Sequence, residues 1–278
     1  MGSLKREEPT YMRPPKDNER PLMDHIVELS IRLKRILISI TVIGFVLSAI
    51  PVDTQTYTPL ISYFPNYIIN QVVPHTVYWK GESYQVQLIQ YNPFAGFSIL
   101  IKSAFLLGVL GASPIIAKEI YEYIEPALYP SEKKALKKFS IVAIGLFLLG
   151  VIVAIKVVMP VAFKFTIITS LAVVGENRLI AFTDVGQLLT TIILIAIATG
   201  IAFEAPLIVY ILVTLGVLNE NWFKGENIKY VIFVSMLIGA AISPDPSGIG
   251  MLVIGGLFAL AIIISAKLAS RKKNKAKT

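Results

Sequence analysis

Six apolar stretches dominate this sequence and constrain its fold more than any other feature. Most of them approach the ~20 residues that an α-helix needs to cross ~30 Å of hydrocarbon. Charged residues make up only 16% of the chain, whereas a typical soluble protein has ~25%. We therefore expect an all-α membrane protein with six transmembrane helices. The stretches are Ile36–Ile50, Phe97–Ile116, Phe139–Val158 (extending at most to Phe163), Leu188–Leu215, Tyr230–Ile242 and Ile249–Ser265.

The fifth and sixth stretches are short for membrane spans. Tyr230–Ile242 covers only ~20 Å at the α-helical rise of ~1.5 Å per residue, so the bilayer must thin there or neighbouring helices must cover its ends. An alternative joins both stretches into one re-entrant hairpin, which leaves the termini on the same side. The first stretch is also short, and we expect the amphipathic Met23–Arg35 to continue its helix into the cytoplasm.

The distribution of lysine and arginine predicts the orientation, because these residues concentrate in cytoplasmic segments. Twenty-one of them lie in four alternating segments: 1–35, 118–138, 215–229 and 267–278. The intervening segments hold two, Lys80 and Arg178. Both termini are therefore predicted to be cytoplasmic. The chain divides into a flexible cytoplasmic arm (1–22), a six-helix membrane domain (23–266) and a basic cytoplasmic tail (267–278).

The loops on the outer side have patterns of ordered structure. Leu60–Gln71 is amphipathic at helical spacing, and Val77–Leu88 alternates around Gly81 as a small hairpin does. We expect these loops to form a cap over a concave face of the helix bundle.

Several functional classes lack the residues they require. The chain has no cysteine, which excludes disulfides and thiolate metal sites. His25 and His75 fall on opposite sides of the predicted topology, so they cannot share a metal. Neither a nucleophile–base pair nor a phosphate-binding glycine loop is present, so we predict no catalytic residue, cofactor or metal. The net charge of +8 lies beside the apolar stretches, where it favours contact with lipid headgroups rather than nucleic acid.

Glu204 is an ionisable residue inside the fourth apolar stretch, near the predicted membrane midplane. A charge there costs at least ~2.5–3.5 kcal/mol unless it is paired, protonated or water-facing. Pro206 cannot donate to the helical hydrogen-bond ladder, so we expect a kink beside the carboxylate. One interpretation is a protonated glutamate bonded to a carbonyl that the proline frees, and the other is a polar recess within the membrane.

The remaining charged residues allow two interpretations each. Lys102 and Lys156 lie near the ends of spans, where snorkelling to the interface competes with a functional role. Acidic residues on the cytoplasmic side are either a solvated helix face or a recognition site, and Glu28 and Glu132 either pair with Lys34 and Lys133 or stay available. The other acidic residues are Asp24, Glu119, Glu122 and Glu125.

Four short motifs, at residues 25–33, 114–134, 203–206 and 243–246, resemble in order and spacing those of the TatC family, the multi-spanning receptor of the twin-arginine protein translocase. Residues 25–33 resemble the family's H-L-x-E-L-R-x-R-L before span one. Residues 114–134 resemble the family's A-P-x-x-x-Y-Q-x-W-x-F-x-x-P-x-L-Y-x-x-E-R-R after span two. Residues 203–206 match F-E-x-P, and residues 243–246 are similar to the T-P-P-D turn before the last span. The resemblance covers roughly residues 23–266.

This resemblance implies a receptor and scaffold rather than an enzyme. TatC proteins bind twin-arginine signal peptides of folded proteins at the cytoplasmic face. They then recruit single-span partners of the TatA and TatB types for export powered by the proton-motive force. The resemblance also implies the cytoplasmic (inner) membrane as location, together with self-association. It places signal-peptide binding at Glu28, Tyr123, Pro126, Leu128 and Glu132, an intramembrane polar site at Glu204 and Pro206, and an outer turn at Asp245.

The sequence departs from the family pattern at several positions. Ser30 stands where arginine is usual, and Glu119 where glutamine is usual. Tyr121 replaces a common tryptophan, and Tyr123 replaces phenylalanine but keeps an aromatic ring. Ile249 stands in place of a frequent glutamine, which weakens any inference about contacts of the sixth span.

Two other functional classes remain alternatives. A proton- or ion-coupled carrier of small solutes would use Glu204, but carriers typically bury charge on several spans and contain broken helices in corresponding halves. An insertase for unfolded membrane segments would work without paired arginines.

Overall fold

The computed structural model describes residues 22–53, 55–90, 93–127, 130–174, 182–243 and 248–275. This part of the chain is mostly helical. Its α-helices are α1 (Leu22–Ser48), α2 (Leu60–Val72), α3 (Ala95–Ile124), α4 (Pro130–Val153), α5 (Met159–Val174), α6 (Val185–Ala202), α7 (Ala205–Leu215), α8 (Ile228–Ile242) and α9 (Ile249–Lys275). The predicted continuation of the first apolar stretch into a longer helix is confirmed by α1, and the predicted amphipathic helix by α2.

The chain is a multi-span membrane protein, and within its described residues five helical stretches are long and apolar enough to cross a bilayer. They are Ala95–Ile124, Phe139–Val173, Val185–Thr214, Gly225–Ile242 and Ile249–Arg271. The sequence predicted a sixth span in α1, which is absent from this set. The apolar part of α1, Ile36–Ser48, reaches only ~20 Å at ~1.5 Å per residue, because the first half of the helix carries charged residues.

Two spans are longer than the sequence predicted. The third continues through Val173 instead of ending near Val158, because a five-residue π-helical turn, Ala154–Val158, joins α4 directly to α5. The sixth is not short, since α9 runs for 27 residues and buries Ala266 and Ala269 beyond its predicted end. The fifth is short, as predicted, with 15 residues in α8.

Six short strands make the protein mostly helical rather than all-α as predicted. The strands are β1 (Pro51–Asp53), β2 (Thr58–Pro59), β3 (Thr76–Trp79), β4 (Glu82–Gln85), β5 (Gln87–Ile89) and β6 (Phe182–Asp184). β3 and β4 pair antiparallel through Tyr78↔Ser83 and Trp79↔Glu82, which confirms the predicted hairpin. β5 pairs in parallel with β6 across nearly a hundred residues of sequence. This pairing joins the loop before α3 to the loop before α6.

Two lysine side chains connect helices through hydrogen bonds. The Lys102 ammonium on α3 donates to the Thr190 hydroxyl at 2.6 Å and to the Gly186 carbonyl at 3.3 Å, both on α6. Lys156, in the π-helical turn, donates to the Gln71 side-chain oxygen of α2 at 2.8 Å. π-helical turns are rare and often serve a specific contact. Both lysines therefore make contacts between helices, which snorkelling alone does not describe.

Helices α1 and α3 pack with their backbones in close contact. A β-carbon built on Gly44 would lie 2.5 Å from the Ala104 carbonyl oxygen, and one built on Gly108 would overlap the Ile40 carbonyl oxygen. The order of these contacts makes the two helices antiparallel. Small residues permit such an approach in membrane helices. The first half of α1 therefore lies along the last turns of α3.

Two further helix pairs pack in the same way. Gly150 on α4 faces Gly200 on α6, and Gly239 on α8 faces Gly255 on α9. The main core lies between α3, α6 and α9, where Leu106, Ile192 and Phe258 are almost completely buried.

The fourth span is interrupted where the sequence predicted a kink. α6 ends at Ala202, and α7 begins at Ala205 with Pro206 in its first turn. A proline is tolerated there because the first backbone N–H groups of a helix have no helical acceptor. Phe203 and Glu204 form the connecting turn, so the carboxylate projects from a helix break.

The close contact between α1 and α3 predicts a sensitivity to added volume. Replacing Gly108 with alanine should destabilise the protein by ~1–3 kcal/mol, because the new methyl group would overlap backbone that cannot rotate away. Gly145→Ala is a matched control on α4, since a β-carbon there meets no atom within 4 Å. Thermal unfolding of both variants in detergent checks the prediction. Equal melting temperatures would contradict the packing.

Candidate functional site

A cluster of charged side chains surrounds Arg32 where α1 meets the end of α3. The Arg32 guanidinium lies 2.9 Å from the Glu28 carboxylate and 3.2 Å from each of the Glu119 and Glu122 carboxylates. It also donates to the backbone carbonyl oxygens of Glu119, at 3.5 Å, and Glu122, at 3.3 Å. Charge-assisted hydrogen bonds of this kind are about twice as strong as neutral ones. We call Glu28, Arg32, Glu119 and Glu122 the Arg32 cluster.

Helical spacing brings the members of the Arg32 cluster together. Glu28 and Arg32 are four residues apart on α1, and Glu119 and Glu122 are three apart on α3, so each pair shares one helix face. The antiparallel contact at Gly44 and Gly108 then places the two faces against each other. The last backbone carbonyls of α3 lack helical donors, and the guanidinium supplies a donor close to this end.

The members of the Arg32 cluster differ in solvent exposure. The Arg32 and Glu119 side chains are 15% and 10% exposed, whereas those of Glu28 and Glu122 are 28% and 36% exposed. A molecule approaching from solvent would therefore meet Glu28 and Glu122 before it meets Glu119.

The carboxylates keep Arg32 charged under all physiological conditions. The pKa of the Arg32 guanidinium is raised above its ordinary value, chiefly by the hydrogen bond to Glu28, while desolvation opposes the increase and Glu122 and Glu119 add to it. Two further cations approach the cluster. Arg35 lies 3.7 Å from Glu119, and Lys118 lies 3.7 Å from Glu122. Both are well exposed, so these two pairs contribute little to stability.

A recess of about 460 Å³ opens beside the cluster along α1. Its walls combine acidic, basic and apolar side chains, namely Asp24, Val27, Glu28, Ile31, Arg32 and Arg35. Val27 and Ile31 thus place apolar surface next to the part-exposed Glu28 carboxylate. Such a lining suits a peptide that carries both cationic and apolar side chains.

The structure describes the side chains of only some of the residues that were predicted to bind the signal peptide. Tyr123 is 37% exposed at the end of α3, and Pro126 is exposed in the 3-10 turn that follows, Glu125–Ala127. Leu128 lies outside the described residues. Glu132 lies near the start of α4, and its side chain is likewise outside the described part of the molecule.

The predicted intramembrane site is separate from the Arg32 cluster. Glu204 is half-buried at the break between α6 and α7, and its backbone carbonyl accepts from the Ile208 N–H at 3.0 Å. One turn earlier, the Thr199 hydroxyl is fully buried and has no hydrogen-bond partner within the described residues. Both polar groups lie within the fourth span. Asp245, predicted at the outer turn, lies outside the described residues.

Sequence analysis missed the central residue of the site. It proposed Lys34 as a possible partner of Glu28, whereas Arg32 is the cation within 2.9 Å. The four-residue spacing of Glu28 and Arg32 was the available signal, since it is typical of helical ion pairs. The interpretation of the acidic run as a solvated face is wrong for Glu119, which is buried against α1.

Comparison with known proteins covers nearly the whole chain. Residues 24–256 match the family model of TatC, the Sec-independent protein translocase protein. A Sec-independent protein translocase protein TatC from Aquifex aeolicus is 33% identical over 91% of this chain and 97% of its own length. One from Carboxydothermus hydrogenoformans is 27% identical over 93% of this chain and 96% of its own length.

Solved structures of TatC proteins have the same fold as this chain. Two crystal structures of the twin-arginine translocase receptor TatC, one of them in the detergent DDM, superpose with TM-scores of 0.64 and 0.65. Each is 28% identical and covers 88% of this chain and 99% of its own chain. The family consists of transport proteins, not enzymes. The matched length, the fold and the motifs together place this chain in the TatC family of Sec-independent protein translocase proteins.

Proposed function

We propose that this chain is the core receptor of a twin-arginine translocase. It binds the twin-arginine signal peptides of folded proteins at its cytoplasmic face and assembles with single-span TatA/TatB-type proteins for export driven by the proton-motive force. The observation that carries the proposal is the part-exposed Glu28 carboxylate beside the apolar side chains of Val27 and Ile31. This arrangement offers one surface to a cationic side chain and another to its apolar neighbours.

The chemistry of carboxylates supports recognition of arginine. A guanidinium presents a planar fork of donors that pairs with a carboxylate through two hydrogen bonds, whereas a lysine ammonium acts as a point charge. We assign the two peptide arginines to Glu28 and Glu132. Tyr123, Pro126 and Leu128 provide apolar surface for the residues beside the arginine pair. Exposure of Tyr123 and Pro126 next to α1 supports this part of the assignment.

The proposed receptor has six spans in the cytoplasmic (inner) membrane, with both termini in the cytoplasm. α1 is the additional span. Its apolar half packs against α3 through Gly44 and Gly108, and α3 is itself long and apolar enough to cross. The charged half of α1 lies beside the end of α3, where a cytoplasmic interface is expected. The arm, residues 1–22, and the tail, residues 267–278, both extend from that side.

The membrane-embedded partner site is proposed at Glu204 and Pro206. The broken fourth span exposes a carboxylate at membrane depth, where it offers a hydrogen bond to a polar residue of a single-span partner. The strands and α2 form an ordered cap on the outer side, over a concave face that includes Glu204. Asp245 orders the outer turn next to this cap. The other proposed partners are the lipid bilayer and further copies of the chain, and nucleic acid is not a proposed partner.

Binding of a labelled signal peptide to the detergent-purified chain tests the receptor function. We expect the twin-arginine peptide to bind at least tenfold more tightly than its twin-lysine version, because each charge-assisted hydrogen bond contributes ~1.5–3 kcal/mol. Glu28→Gln and Glu132→Ala should each weaken binding about tenfold while the melting temperature changes little. Glu226→Gln, at another exposed acidic position, is the matched control. Equal binding of both peptides would rule out arginine recognition.

Labelling of single cysteines tests the six-span topology, and the natural absence of cysteine makes the experiment direct. Cysteines at the exposed positions Met23 and Arg271 should react only from the cytoplasmic side. A cysteine at the exposed Tyr78 should react only from the outer side. Reaction of positions 23 and 78 from the same side would mean that α1 does not cross.

The partner site predicts a selective effect of Glu204→Gln. The variant should fold and bind signal peptide normally, because glutamine preserves the size of the side chain and the site lies away from the Arg32 cluster. Crosslinking to a single-span partner should fall severalfold in native membranes. Glu226→Gln again serves as control. Solute uptake that depends on Glu204 in reconstituted vesicles, without peptide binding, would instead favour a carrier.

A further inference from the structure

Arg32 is bound to the Glu28 carboxylate, which the proposed function assigns to an arginine of the signal peptide. Two nitrogens of its guanidinium, Nη2 and Nε, lie 2.9 Å and 3.1 Å from the same Glu28 oxygen. Any arginine that binds Glu28 bidentately must compete with these two hydrogen bonds. The chain therefore carries its own guanidinium at the place where the peptide's guanidinium is expected.

A peptide arginine can replace Arg32 at Glu28 without separation of α1 from α3, because Arg32 has other contacts. The Nη1 atom donates to the Glu119 and Glu122 carboxylates, at 3.2 Å each, and the backbone carbonyl oxygens of both residues accept further hydrogen bonds. None of these four contacts involves Glu28. Loss of the two hydrogen bonds to Glu28 therefore leaves Arg32 with partners on α3.

The different solvent exposures of the carboxylates determine which of them a peptide arginine reaches first. Glu28 borders the recess on α1 and is 28% exposed, whereas Glu119 is only 10% exposed and does not line that recess. A peptide arginine that enters the recess therefore reaches Glu28 first. Arg32 is left with Glu119, a carboxylate that stands where glutamine is usual in the family and that offers a full charge to receive the displaced guanidinium.

We propose that Arg32 acts as an internal competitor that lowers the affinity of the receptor for signal peptides and so sets the threshold that a peptide must exceed. This inference rests on the proposed function. Competition by a resident group lowers the affinity for every peptide that uses Glu28 by the same factor. Arg32 therefore does not itself distinguish arginine from lysine. It lowers the affinity of weak, lysine-bearing peptides until they no longer bind at working concentrations.

Arg32→Lys tests the proposal, because the variant keeps the positive charge but replaces a five-donor planar fork with a three-donor ammonium. We expect the affinity for the twin-arginine peptide to rise about threefold to tenfold, the change produced by weakening one charge-assisted hydrogen bond. The affinity for the twin-lysine peptide should rise by the same factor, so that the ratio stays constant. Arg271→Lys is the matched control, since Arg271 is exposed in the last turns of α9 and does not line the recess.

Arg32→Gln, measured alongside, keeps hydrogen-bond donors for the carbonyls of α3 but removes the charge, and should raise both affinities further. Melting temperatures report whether each variant folds. Unchanged or lower affinity in a folded Arg32→Lys protein would overturn the proposal, because Arg32 would then only hold α1 in place or orient Glu28. A rise for one peptide alone would also overturn it, since direct contact with the peptide would be the cause.

The outcomes separate this inference from the proposed function. If the unsubstituted chain binds twin-arginine peptide in a Glu28-dependent way and Arg32→Lys brings no gain, only the internal competitor is disproved. If neither the unsubstituted chain nor the variant binds the peptide, the receptor function fails and the competitor fails with it.

Discussion

The backbones of α1 and α3 touch at Gly44 and Gly108, and the arrangement of the Arg32 cluster depends on this contact. Any larger residue would hold the helices apart, because a β-carbon at either glycine meets a carbonyl oxygen of the opposite helix. The close approach allows the Arg32 side chain to reach Glu119 and Glu122. Lipid offers no hydrophobic driving force between helices, so close packing and interhelical hydrogen bonds must hold such a pair together.

The Arg32 cluster joins α1 to α3 through a single guanidinium. The guanidinium supplies donors at the end of α3, while the carboxylate of Glu28 remains accessible from the recess on α1. A guanidinium held by three carboxylates is the same chemical group that the proposed function expects from a signal peptide. Under that proposal, peptide binding is an exchange at Glu28 rather than a simple addition.

Glu204 and the strands depend on other constraints. Pro206 lies in the first turn of α7, where its missing N–H leaves no helical acceptor unsatisfied, and Glu204 lies at the break just before it. The parallel pairing of β5 with β6 and the contact of Lys102 with Thr190 join two distant loops at the starts of α3 and α6. Such contacts hold the β5–β6 pair and these two helices together.

The sequence by itself determined the local elements and the family. Hydrophobic runs predicted the helices, and alternation around Gly81 predicted the hairpin. Pro206 predicted the break beside Glu204, and four motifs indicated the TatC family. These features depend on neighbouring residues, so they can be predicted from the chain alone. The attachment of Arg32 to α3, the burial of Glu119 and the pairing of β5 with β6 were decided only by tertiary structure. Each joins residues about 80 to 100 positions apart, and contacts of that kind depend on which helix faces meet, a choice that local pattern does not encode.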